Sequence, residues 1–221
     1  TQEFDDFSDD ILLTSSDLII PRLKLMQAIM KSVSSGDAVA GEYRLSTGEL
    51  LAGKSSDLDV IVLKMDKYWR IKETKADGAY LEDGESYRES FTLENQNRDW
   101  NFERDGKAWK AYLSLDLYLI QANDDGEEVF SQIPMIITLA SSAYITAKKL
   151  FTEIQKLKIK GHTPVDYVFI LSRVNEGAYN VPVIKIGRET TVTEKKAAAF
   201  FRNQLRTQQV KIDGEETGDE A

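Results

Sequence analysis

The chain has 221 residues, no cysteine and a formal net charge of −9. Its hydrophobic content of 42% and aromatic content of 10% suit a folded chain with a sizeable core and exclude one that is disordered throughout. Without cysteine there are no disulfides, thiol nucleophiles or thiolate metal sites, a composition compatible with a reducing cytoplasm.

The charge is unevenly placed. Glu3, Asp5, Asp6, Asp9 and Asp10 crowd the first ten residues; Asp213, Glu215, Glu216, Asp219 and Glu220 crowd the last nine. Residues 11–212 carry a net charge of only +1, so the body is not hostile to nucleic acid. Residues 1–16, with Phe4 and Phe7 among the aspartates, are expected to be a disordered acidic leader, the alternative being an acidic-aromatic docking motif. Their acidity lacks the basic region of a secretory signal, and no apolar run is long enough to span a bilayer.

From Asp17 to Met26, Arg22 and Lys24 alternate with Leu23 and Leu25 in an extended segment, and Pro21 favours an edge strand. Gly41–Glu49 reads as a short strand and turn. Its glycines lack the spacing of a phosphate-binding loop. Leu58–Met65 is an apolar strand that continues through Tyr68-Trp69-Arg70-Ile71-Lys72. Residues 73–108 read as a long polar insertion with turns at Asp77-Gly78, Asp83-Gly84 and Asp105-Gly106.

Between Tyr112 and Ala122, Leu113, Leu115, Leu117 and Leu119 point one way while Tyr112, Ser114, Asp116 and Tyr118 point the other, the period of a strand. Asn123–Gly126 is turn chemistry, and a second strand over 128–139 completes a hairpin. The period then changes: Tyr144, Ala147, Phe151, Ile154 and Leu157 form the stripe of a helix over 143–160, capped by Ser141 or Ser142 and ended by Gly161. A second hairpin pairs 166–175 with 178–187. Thr191 and Glu194 form a capping box for a final helix to near Gln209. Residues 211–221 are expected to be a disordered acidic tail.

The order strand, strand, strand, helix, strand, strand is that of the oligonucleotide/oligosaccharide-binding (OB) barrel. The expected fold is therefore α+β, mainly β: an elaborated antiparallel OB-like barrel over 17–210, with one helix between strands 3 and 4, a C-terminal helix and the 73–108 insertion.

Catalysis finds little support. The only histidine, His162, follows Gly161 at a helix end, where it complements the helix dipole. The carboxylate pairs Asp124/Asp125 and Glu127/Glu128 fall in a turn. No cofactor or metal site is expected, and an enzyme, such as a metal-dependent nuclease, is the least favoured reading. Aromatic and basic residues interleave more suggestively in two groups: Lys64, Lys67, Tyr68, Trp69, Arg70 and Lys72; then Trp100, Phe102, Arg104, Lys107, Trp109, Lys110 and Tyr112. Sequence-tolerant binding of a single strand needs π-faces for stacking and cations for phosphates. Tyr118 joins these candidates, because it lies opposite the leucine face of its strand. Packing in the core is the competing role for each tryptophan. The lysine-rich helix face of Lys148, Lys149, Lys156, Lys158 and Lys160 reads as solvated.

Ile20-Pro21-Arg22-Leu23-Lys24-Leu25-Met26-Gln27, followed by Ala40-Gly41-Glu42-Tyr43 and Ser46-Thr47-Gly48-Glu49, resembles a pattern in bacteriophage proteins, and the element order with its acidic C-terminus resembles phage single-stranded-DNA-binding proteins. The resemblance implies binding and protection of single-stranded DNA during replication or recombination, in the host cytoplasm, with partner proteins recruited through the acidic tail. Here the tail ends Gly218-Asp219-Glu220-Ala221, without the terminal aromatic of many such proteins. The alternative function is a phage structural or assembly protein, or a protein-interaction module.

Overall fold

The computed structural model describes residues 19–81, 84–89, 99–123, 133–177, 179–207 and 211–212. Within them the chain is mainly β, with antiparallel ladders in its two larger sheets. The strands are β1 (Ile19–Ile20), β2 (Leu23–Leu25), β3 (Tyr43–Leu45), β4 (Leu50–Ala52), β5 (Leu58–Thr74), β6 (Ser86–Glu89), β7 (Asp99–Arg104), β8 (Lys107–Gln121), β9 (Met135–Ala140), β10 (Tyr167–Asn175), β11 (Asn180–Glu189) and β12 (Lys211–Ile212). The helices are α1 (Lys31–Ser34), α2 (Tyr144–Ile159) and α3 (Val192–Thr207).

Two long strands organise the molecule. β5 and β8 pair antiparallel from Val60 opposite Gln121 to Thr74 opposite Ala108, with a bulge between Val62 and Lys64. Around one end of this ribbon the sheet runs β11-β10-β5-β8-β9; around the other, β6 flanks β5 and β7 flanks β8. The first part is a five-stranded base and the second a four-stranded arm.

The base is buried on both faces because its strands are apolar at successive positions rather than alternate ones. On one face Val60, Val62, Leu115, Leu117, Leu119, Ile137 and Leu139 pack with α2 and with the small sheet β2-β3-β4. On the other, Ile61, Leu63, Tyr118, Ile120, Ile136 and Val168 pack with Ala197, Ala198, Phe201 and Leu205 of α3. These are the α2 face and the α3 face.

The helix ends follow the local sequence. Gly161 (φ +81°) lets the α2 chain reverse: its N–H donates to the carbonyl of Lys158, and that of His162 to Leu157, both 3.0 Å, a Schellman ending. The start differs from expectation. Neither Ser141 nor Ser142 caps α2; a 3₁₀ turn over Ser141–Ala143 leads into it without a side-chain cap. At α3 the capping box forms: Thr191 N–H donates to Glu194 Oε2 (2.8 Å), and Glu194 N–H to Thr191 Oγ1 (3.2 Å). Burial favours the protonated form of Glu194, yet the bidentate Arg188 pair, 2.8 Å at each oxygen, and the Thr191 hydrogen bonds together outweigh it and the pKa falls.

The barrel expectation is corrected, and two further segments are specified. The barrel is not closed: among the described residues β9 and β11 do not pair. The N-terminal segment satisfies this seam instead. Ile136 N–H donates to Pro21 O at 3.0 Å, and the Gln27 side chain donates to Asn180 O (2.9 Å) while accepting from Asn180 N–H (2.7 Å). The described part of the 73–108 insertion carries strands of its own. Period-two patterning at Asp99–Arg104 and Lys107–Tyr112 builds a hairpin on Asp105 and Gly106, both with positive φ (53° and 73°) as a two-residue turn requires. Finally, Lys211 and Ile212, expected in the tail, pair parallel with Ile19 and Ile20. Residues 1–16 and 213–221, expected as leader and tail, lie outside the described residues apart from this contact, as do 128–132 of the expected third strand.

Candidate nucleic-acid interface

In the arm the strict alternation of β5 and β8 sorts the interleaved aromatics and cations onto opposite faces. Cross-strand register places Lys64 opposite Tyr118, Tyr68 opposite Ser114, Arg70 opposite Tyr112 and Lys72 opposite Lys110, all on the α3 face. The intervening Trp69 and Ile71 face the other way, opposite Leu113 and Ala111.

The α2 face of the arm is a closed aromatic cluster. Trp69 and Trp109, 3% and 4% exposed, pack with Ile71, Ala111, Trp100 and Phe102. Trp69 meets Trp100 edge-to-face at 4.7 Å between centroids. Charged side chains along its margin pair off: Arg104 with Glu89 at 2.9 Å, and Lys107 with Glu85 and Glu73 at 3.2 and 3.4 Å. The hydrogen bonds these cations donate to the carboxylates raise the pKa of both Arg104 and Lys107.

The α3 face of the arm is open and built differently. Asp116, 0% exposed, accepts from Arg88 Nη2 (2.6 Å), Thr138 Oγ1 (2.6 Å) and Tyr68 OH (3.2 Å). Arg22 Nη1 donates to that same Thr138 oxygen at 3.1 Å. A buried carboxylate thus fixes Arg88 flat above Tyr68, guanidinium carbon to ring centroid 4.1 Å. Burial, together with the Asp116 charge, raises the Tyr68 pKa, so its hydroxyl stays a donor. Farther along, Lys72 and Lys110 approach the Tyr80 ring at 5.3 and 5.9 Å, and Tyr80 meets Tyr112 edge-on at 6.3 Å. Burial likewise raises the pKa of Tyr112.

Of the expected binding residues, then, Lys64, Tyr68, Arg70, Lys72, Lys110, Tyr112 and Tyr118 share the α3 face. Lys67, Trp69, Trp100, Arg104, Lys107 and Trp109 share the other. Tyr118 is 6% exposed, packed beneath α3 with Lys64 over its ring at 4.9 Å. Burial raises its pKa too. Trp69, Trp109 and Tyr118 therefore fill core positions, while on the α3 side of the arm Tyr80 is exposed and Tyr68 and Tyr112 are half-buried. Carboxylates temper that face: Asp66 binds Lys64 at 2.7 Å and Asp99 approaches Lys110 at 3.5 Å. Among the described residues neither Arg70 nor Lys72 has an ion-pair partner.

Sequence reasoning missed Tyr80, Arg88 and the role of Asp116. Tyr80 stands between two Asp-Gly turns, and Arg88 lies two residues from Ser86 in a short polar run. Only the register of β6 on β5, Arg88 opposite Arg70, brings Arg88 into the group.

A second concavity occupies the seam, a cleft of about 400 Å³ lined by Arg22, Lys24, Gln27, Thr138, Tyr179 and Asn180 among others. Among the described residues no cluster of His, Asp or Glu is arranged to hold a metal ion, and no helix is long and apolar enough to cross a membrane. No protein-family model matches the chain, nor does any curated protein or solved structure.

Proposed function

We propose that this chain binds single-stranded nucleic acid, with little regard to sequence, on the α3 face of its arm. One observation carries the reading: Tyr68, Tyr80 and Tyr112 share a partly exposed sheet face with Arg70, Lys72, Arg88 and Lys110, and three of those four cations lie 4.1 to 5.9 Å from a tyrosine ring. Every base has a π-face, so tyrosine platforms beside phosphate-binding cations give affinity without a base code.

The connectivity of the base supports the same reading. Its five strands β5, β8, β9, β10 and β11 have a helix between the third and fourth. The OB barrel is a partly open Greek key that uses its strand 2–3 face and its 1–2 and 4–5 loops for oligonucleotides. We take the base as an opened form of that barrel, with the N-terminal segment in the seam and the arm as an enlarged 1–2 connection. Protection of single-stranded DNA in phage replication or recombination is the role that the sequence resemblance adds, with partners docking on the acidic tail.

The test is a fluorescence-anisotropy titration of labelled oligo-dT at several salt concentrations. Binding at low salt that weakens linearly on a log–log plot, with slope proportional to the phosphates contacted, is expected. No binding at low salt overturns the proposal.

A further inference from the structure

We infer that the single strand lies lengthwise along the arm, parallel to β5 and β8, in a site of about three nucleotides, rather than crossing the strands of the base. This inference rests on the binding reading above and specifies its ligand path.

Two observations point to it. The crosswise route is obstructed. On the α3 face of the base, Ser114 and Asp116 are 0% exposed and Tyr118 is 6% exposed; Tyr118, Ile120 and Ile136 pack in the cluster formed with α3. A strand cannot stack on residues already covered. The lengthwise route is more accessible: Tyr80 is 42% exposed, and the side chains of Arg88 and Lys110 are 37% and 29% exposed.

Spacing then selects the ligand. Same-face positions along a strand recur every two residues, about 6.7 Å apart. Each strand of a duplex advances only about 3.4 Å per phosphate along the axis, so bases held at the arm's interval must be unstacked and extended. Tyr68, Arg70 and Lys72 give three such positions on the arm, with Tyr112 and Lys110 opposite Arg70 and Lys72; Lys64 and Asp66 lie opposite the covered Tyr118 and Asp116, outside this row. An extended strand therefore meets one row of side chains per nucleotide, in a site shorter than the roughly 4–16 nucleotides known for OB folds.

The experiment compares full-length protein carrying Lys72→Ala or Tyr80→Ala, on the arm, with Lys24→Ala or Tyr179→Ala, in the seam cleft. Each is titrated against oligo-dT of increasing length, with circular dichroism as a check on folding. The arm variants are expected to weaken binding roughly ten-fold each, and the seam variants to leave it unchanged. Affinity should level off at about three nucleotides, apart from the statistical gain of added registers. Seam variants that weaken binding as much as the arm variants, or affinity that climbs steeply beyond about ten nucleotides, overturn the lengthwise path while leaving single-strand binding intact. No binding by the unaltered protein at low salt overturns both.

Discussion

β5 and β8 run through two environments, and the contrast between them is instructive. In the base, both faces of the ribbon are apolar and each is covered, one by α2 and the small sheet, the other by α3. In the arm the same strands keep one covered face, the tryptophan cluster, and turn a tyrosine-and-cation face outward. The base spends its hydrophobic surface on stability. The arm has just enough on one side to hold its shape, which leaves the other side free for a ligand. Asp116 sits at the junction, buried like a base residue yet bonded to Arg88 of the arm.

Four measurements break or sharpen this contrast. The largest effect belongs to the covered face: Trp69→Ala and Trp109→Ala should each cost roughly 3–5 kcal/mol of stability in urea unfolding. A loss below about 1 kcal/mol would mean the cluster is not a core and the two faces are alike. Next comes the junction. Removing one partner of a buried ion pair costs roughly 3–5 kcal/mol; Arg88 is 37% exposed on its side chain, so Arg88→Ala should fall near about 2–3 kcal/mol by the same unfolding measurement. An unchanged midpoint would detach Asp116 from the arm.

The open face should respond in the opposite way. Tyr112→Ala should leave the unfolding midpoint nearly unmoved but weaken oligo-dT binding by roughly 1–3 kcal/mol. Arg70→Ala should instead flatten the log–log salt dependence by about 0.7. The smallest effect lies in the base and reads through pH. The Thr163 backbone N–H holds the Asp166 carboxylate down against the burial penalty, the Thr163 hydroxyl and Lys195 add to the lowering, and the pKa falls from 3.8 to about 2. A depressed carboxylate stabilises the fold above its unfolded pKa, and that contribution disappears as pH falls through the folded value. Stability should therefore drop between about pH 4 and pH 2, and Asp166→Asn should reduce the drop. An identical acid profile for the variant would remove Asp166 from the account.

How much of this was legible beforehand depends on the range of the interaction. The alternation of Tyr112–Ala122, the stripe from Tyr144 to Leu157 and the Thr191/Glu194 box are local signals, and the elements they announce are present. The β7–β8 hairpin was partly legible, since Asp105-Gly106 marked its turn, but β6 on β5 is a pairing that no local pattern encodes. The candidate residues illustrate the limit. Composition gathered them into two groups by sequence, whereas the pleat divided each group between two faces. Tyr118 was assigned by parity to the open side; its parity was right, but the docking of α3 buries it. The seam could not be foreseen either, because it is filled by Pro21 and Gln27, far away in the chain.

The pairing of Ile19–Ile20 with Lys211–Ile212 carries a kinetic consequence. Closing a loop over nearly the whole described chain costs roughly 2–3 kcal/mol more than closing a short hairpin such as β10–β11. A two-residue ladder, at about 1 kcal/mol per hydrogen bond, offers little against that entropy. This clasp has the highest contact order in the molecule and cannot nucleate anything. It is expected to form late, after β5, β8 and β9 have brought Pro21 to Ile136 and Ile20 has packed against α3, and amide exchange at Lys211–Ile212 should outpace that of the central ribbon.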